Sequence, residues 1–190
     1  MDKHPKLFMI LLGCTPKGRT TEQHDIFFGI GESLTELVPE MNLFWPEAKG
    51  KLHIDAWREI SVVDDYSIEV VPKLDIEVAE NNLYFLNLGG YKPGEFEEYH
   101  YKMLAVEPKM AVAIKKAKKS IFYKHYGFDG KGGESHIDDK YGIDVDDSHK
   151  VADLLNTATK SKYQLKLSVL SEPKAEDELH IGYLKIKALK

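Results

Sequence analysis

Two runs of large apolar residues set the pattern of the chain. LFMILL (Leu7–Leu12) and LYFLNL (Leu83–Leu88) each stop at a glycine, as a strand does where it enters a turn. Each is followed by a loop and a second short strand, DIFFGIG (Asp25–Gly31) or HYKMLAV (His100–Val106). The pattern then changes to a helical period. Leu34, Leu37, Val38 and Met41 form one stripe, opened by Ser33 with Glu36 three residues on, a capping box; Pro39 should shorten or kink this helix. The second helix is expected from Pro108, a good first-turn residue, to near Tyr126, burying Ala111, Ile114, Ala117 and Ile121. A strand through a His-Ile-Asp block follows each helix, at His53 and at His136. A hairpin return then closes each half, YSIEVV (Tyr66–Val71) or YQLKLSVL (Tyr163–Leu170). VADLLN (Val151–Asn156) predicts a helical turn, and ELHIGYLKI (Glu178–Ile186) a last strand.

The two halves are alike in wording as well as in pattern. LFMILLGCTPKGRTTEQH lies ungapped on LYFLNLGGYKPGEFEEYH at an offset of 100 − 24 = 76. HIDAWREISVVDD lies on HIDDKYGIDVDD and its next residue at 136 − 53 = 83, and the seven extra residues fit the glycine-rich GFDGKGG (Gly127–Gly133). The expected fold is therefore α+β, a tandem duplication of a ββαββ unit resembling a β-grasp (ubiquitin-like) roll. Mixed or antiparallel sheets would carry one main helix each. The expected boundaries are residues 1–76 for the first repeat and 77–190 for the second, with its helical insertion and extra strand. Units this small are expected to share a core or join sheets.

LLGCTPKGRTTEQHD, FFGIG, LHIDAWREI, LGGYKPGEFEEYHYKML, HIDDKYGIDVDD and ELHIGYLKI together resemble a bacterial family catalogued as domain of unknown function 1543. The resemblance spans nearly the whole chain. It implies a duplicated domain in a bacterial protein and carries over no catalytic residue.

Composition narrows the function classes. At 43% hydrophobic and 30% charged, the 190 residues suit a globular protein with a real core. A net charge of −5 argues against sequence-independent nucleic-acid binding, which needs an excess of Lys and Arg at phosphates. The single cysteine, Cys14, excludes an intramolecular disulfide and suits a reducing cytoplasm. LFMILL is shorter than an export core and Asp2 stands where a basic flank belongs, so LFMILLGC reads as a strand and turn. No run reaches the roughly 18 apolar residues of a membrane span.

Candidate chemistry is concentrated in repeated pairs. Glu22-x-His24 recurs as Glu98-x-His100, and His53-x-Asp55 as His136-x-Asp138. Residues two apart on a strand share a face, so each pair can converge on one ligand. Imidazole with carboxylate suits zinc, manganese or iron, and also acid–base work near neutral pH. The plain alternative is a hydrogen-bonded polar pair that fixes a strand, present twice because the unit is. HIDDKYGIDVDD does not read as a calcium loop, because the first half lacks the alternating acids and central glycine of one. GCTPKGRT matches a phosphate loop except that Arg19 replaces the lysine and a strand follows. Its counterpart GGYKPGEF keeps both glycines but puts Glu95 there, which points to backbone shape, glycines at strained turn angles. Asp144, Asp146 and Asp147, like Asp64 and Asp65, read as a hairpin turn, and Lys115, Lys116, Lys118 and Lys119 as a solvated helix face.

With no complete catalytic motif, the reading is a cytoplasmic ligand- or protein-binding module without a cofactor. Its partner is an unidentified protein or small molecule, not nucleic acid or membrane, and its exposed edge strands suit homodimerisation. The alternative is a small metal-dependent or acid–base enzyme, with zinc, manganese or iron held by the eight paired residues.

Overall fold

The computed structural model describes residues 4–73, 80–91, 94–119 and 144–189. In chain order the elements are β1 (Lys6–Cys14), β2 (Gln23–Gly31), α1 (Leu34–Phe44), a 3-10 turn (Pro46–Ala48), β3 (His53–Glu59), β4 (Val62–Val63) and β5 (Tyr66–Pro72). Then come β6 (Asn82–Tyr91), β7 (Glu98–Glu107), α2 (Met110–Ala117), β8 (Asp144–Lys150), α3 (Val151–Leu154), α4 (Thr157–Lys162), β9 (Tyr163–Val169), β10 (His180–Lys185) and a last 3-10 turn (Ile186–Ala188). The chain forms two compact units, Met1–Glu77 with Leu154–Lys190, and Val78–Asp153. Residues from 154 onward therefore return to the first unit, although the division at 76/77 assigned them to the second. The reason is strand pairing: β9 lies along β5 from Tyr66↔Val169 to Pro72↔Tyr163, and β10 lies along β3.

In the first unit β1 is flanked by β2 and β3 and is antiparallel to both, giving the order β10-β3-β1-β2. The connection through α1 carries the chain across β1, so β2 and β3 lie on opposite sides of it. Alternation on β1 then decides what each face does. Phe8, Ile10, Leu12 and Cys14 meet Leu34, Leu37 and Met41 of α1 in the core. Burying Leu37 and Met41 contributes roughly 1.5–3 kcal/mol each. The other face ends at Gly13. The expected capping box is not the arrangement seen: Ser33 makes no side-chain cap, and Glu36 Oε2 accepts at 2.8 Å from the N–H of Glu32, one residue before the N-cap. Pro39 lies inside α1, which runs on past it to Phe44.

The second unit repeats the arrangement, with β6 between β7 and β8 and antiparallel to both. Tyr84, Leu86 and Leu88 pack with Ala105, Ala113 and Ala117. The buried stripe of α2 runs through Ala113 and Ala117, while Ala111 is exposed. All strand pairs among the described residues are antiparallel, one of the two sheet arrangements expected. The protein is α+β. No helix among the described residues is long and apolar enough to cross a membrane.

Candidate functional site

Gly13 is the floor of a side-chain cluster in the first unit. It pairs with His24 of β2 on one side and His53 of β3 on the other. A side chain at this position would overlap His53 Nε2 and Asp55 Oδ2, so glycine leaves the space in which these groups meet. The β1–β3 register shifts between Leu11 and Leu12, and Asp55 is the extra residue of the bulge, between the paired Ile54 and Ala56. Ile54 faces the core, and His53 and Asp55 face the other way, over Gly13. Glu22, the residue before β2, closes the cluster.

The distances are short and convergent. Both imidazoles approach the same carboxylate oxygen: His24 Nε2 and His53 Nε2 lie 3.2 and 3.3 Å from Asp55 Oδ2. Glu22 faces each of them, with Oε1 3.1 Å from His53 Nε2 and Oε2 3.7 Å from His24 Nε2. His53 is only 5% exposed, and the ring of Tyr183 lies over it, 4.5 Å between centroids. Yet His53 Nε2 and Asp55 Oδ2 are buried and complete no hydrogen bond. Leaving such groups unsatisfied costs about 1–3 kcal/mol each, and native interiors rarely do so without cause. Four of the six separations among these donors are 3.1–3.7 Å, with each imidazole between the two carboxylates. Two carboxylates opposite two imidazoles also form an excess of negative charge that a divalent cation would balance.

Cys14 follows Gly13 but faces the core. Burial pushes its thiol above the ordinary range, against a smaller lowering by Lys51 and with a further rise from Glu22. A thiol held protonated in this way is a packing residue rather than a nucleophile.

The second unit builds a thinner version. Gly89 pairs with His100 of β7 and with Asp144 of β8, and the β6–β8 register shifts between Asn87 and Leu88, 76 positions after the shift in β1. Asp146 is the extra residue of this bulge, and a side chain at Gly89 would overlap its carboxylate. Glu98, His100 and Asp146 each offer a ligand atom within 4.8 Å of the others. His100 Nδ1 is 3.3 Å from Asp146 Oδ2, and Glu98 Oε2 is 3.8 Å from His100 Nε2. Asn87, where the first unit has Leu11, brings Nδ2 to 3.3 Å from His100 Nδ1. All three putting forward ligand atoms are more exposed than His53, His100 at 38% of its side chain.

The structure thus brings Glu22, His24, His53 and Asp55 together, and Glu98 with His100. His136 and Asp138 lie outside the described residues. The backbone position that faces Gly89 as His53 faces Gly13 is held by Asp144, an offset of 144 − 53 = 91 rather than 83. Asp144, Asp146 and Asp147 belong to strand β8, not to a hairpin turn; pairing with β6 overrides their turn preference. Asp64 does turn, at φ 53°. Of the glycines five apart, Gly18 and Gly94 adopt positive φ as turn residues, whereas Gly13 and Gly89 lie in strands and serve as site floors. Asp146, Gly13, Gly89 and Tyr183 are the residues that the paired motifs did not reveal. The 76-residue recurrence of the first glycine was the available signal for two of them.

Residues 19–70 match the family model described as Domain of Unknown Function (DUF1543). That span holds Glu22, His24, His53 and Asp55. The chain shares its fold with the crystal structure of a protein Il1583 from Idiomarina loihiensis, at 23% identity and a TM-score of 0.59. The alignment covers 96% of this chain and 97% of that one. No curated protein matches the chain in sequence.

Proposed function

We propose that the first unit is a ligand-binding module whose ligand is a divalent transition-metal ion, held by Glu22, His24, His53 and Asp55. The observation that carries this reading is His53 Nε2, buried without a hydrogen bond and aimed, with His24 Nε2, at one oxygen of Asp55. A structural polar pair would satisfy its buried atoms; a buried imidazole nitrogen and carboxylate oxygen left unsatisfied side by side suit a cation. Two imidazoles and two carboxylates favour zinc, manganese or iron over the oxygen-preferring magnesium and calcium. Glu22 and His24, at the exposed end, are placed to exchange with solvent or with a further ligand, while His53 and Asp55 anchor the ion from beneath.

The two units are read as copies of one ββα-β unit in a bacterial, cytoplasmic protein. The common strand order, the bulges 76 positions apart and the glycine facing a histidine in each support this.

Elemental analysis of untagged protein, followed by titration of the stripped protein with zinc, tests the metal reading. Close to one ion per chain is expected, lost when His24 and His53 are both changed to Ala. A wild type that takes up no zinc, manganese or iron would refute it.

A further inference from the structure

We infer that the cavity between the β1–β2 loop and the turn after α1 is a second small-molecule site, and that its ligand is a nucleoside monophosphate. The cavity has a volume of about 540 Å³, within the roughly 300–1,000 Å³ of sites for compounds of this size and far more than a bare phosphate ion fills. Two turns bring cations to its wall. In the first, the Arg19 N–H donates to Pro16 O at 3.1 Å and Gly18 lies at φ 85°, the third position of a type II turn, which favours glycine. Lys17 and Arg19 of this turn line the cavity. The second is the 3-10 turn Pro46–Ala48, closed by the Lys49 N–H donating to Pro46 O at 3.1 Å. Lys49, also in the wall, takes φ 50°, a conformation uncommon for a residue with a side chain.

Three cationic side chains thus share one concave surface in a chain whose net charge is −5. Among the described residues, none of the three side chains is engaged in an ion pair or hydrogen bond. Phosphate, a dianion with three acceptor oxygens, matches such a set better than a single carboxylate does. The remaining wall shows what the phosphate is attached to. Trp45 lines the cavity and is braced by packing on the first core, so it offers a fixed surface for a planar ring to stack on. Glu47 is out of place beside a bare anion, but a carboxylate accepts from ribose hydroxyls, as acidic residues do in dinucleotide-binding folds. Ring, sugar and phosphate each have a counterpart in one cavity. The mode differs from that of a phosphate loop: side chains hold the anion, so neither the missing lysine nor the strand after the loop bears on it. The second unit shows the same loop without this charge. Gly94 keeps the positive φ, at 81°, but Glu95 stands at the position of Arg19 and accepts a hydrogen bond from Tyr99 Oη. The turn therefore does not require the cations of the first loop.

The cavity shares no residue with the cluster above Gly13, so the test is run with a chelator present, which keeps phosphate bound through a metal out of the readout. The untagged full chain is titrated calorimetrically at low salt with the 5′-monophosphates of adenosine, guanosine, cytidine and uridine, with the four nucleosides, and with inorganic phosphate. At least one monophosphate should bind, at least about tenfold more tightly than its nucleoside or inorganic phosphate, and more weakly as salt is raised. Arg19→Glu, which installs the residue of the second unit, and Lys49→Glu should each lower that affinity at least about tenfold. Both positions are exposed, so the unfolding transition should not move. Trp57→Phe leaves Trp45 as the sole tryptophan, and its fluorescence should respond to the monophosphate but not to inorganic phosphate. No binding by any monophosphate would overturn the inference. So would inorganic phosphate binding equally well, or unchanged affinity in both charge-reversal variants. Should Trp57→Phe fail to fold, the titrations decide alone.

Discussion

The clusters above Gly13 and above Gly89 occupy the same place on the same strand plan, and they differ in what was put there. Both lie where a central strand pairs with a histidine on one side and a bulged strand on the other. In the first unit the residue facing glycine from the bulged strand is a buried histidine; in the second it is Asp144. Beneath the cluster the first unit has apolar Leu11, whereas Asn87 in the second already contacts the ring of His100. The first cluster therefore presents four groups, one of them sealed from water, and the second presents three that water reaches. Water competes for exposed ligands and screens their charge, so the comparison locates binding strength in the buried imidazole rather than in the number of acids.

The most severe way to break this contrast is to remove the buried ring. His53→Ala should lower zinc affinity by more than the roughly 100-fold upper limit typical of outer partners of metal ligands, while His100→Ala should leave the tight stoichiometry unchanged; calorimetric titration reads both. The two glycines provide the next comparison. Gly13→Ala forces a methyl against His53 and Asp55 and should cost about 1–3 kcal/mol in denaturant unfolding, as well as the metal. Gly89→Ala meets a carboxylate that can swing into solvent and should stay within about 0.5 kcal/mol. Asp144→His sharpens the comparison from the other side, by placing an imidazole at the register position of His53. Elemental analysis should then rise from one ion per chain toward two, the second released at lower chelator concentration. The smallest effect concerns Cys14, whose raised pKa keeps it a thiol through neutral pH and into the mildly alkaline range. Colour development with a disulfide reagent at pH 8 should be slow in the native protein and immediate in denaturant.

How much of this was legible depended on the range of the interaction. Glu22-x-His24 and His53-x-Asp55 could be read because two-residue spacing on a strand is a local property, and strands β2 and β3 announce themselves through DIFFGIG and the apolar residues around the block. Asp146 could not, because DVDDSHK has the composition of a turn and becomes a strand only by pairing with β6. The repeated His-Ile-Asp wording led to His136, whereas the register depends on where the bulge falls, which no local pattern records. The pairing of β5 with β9, and the return of residues 154–190 to the first unit, were hidden for the same reason: YSIEVV and YQLKLSVL look like equivalent strands, and equivalence in pattern does not say which neighbour each will take. The glycines were read from their commonest use, the turn, and that holds for Gly18 and Gly94. For Gly13 and Gly89 the reason is the volume of groups from other strands, visible only once those strands are in place.

Anomalous diffraction from crystals of the full chain grown with zinc would locate the ion. The strongest peak is expected above Gly13, within about 2.0–2.2 Å of His24 Nε2, His53 Nε2 and oxygens of Glu22 and Asp55. No peak there, or zinc held at Glu98, His100 and Asp146 while the first cluster binds none, would contradict the metal reading.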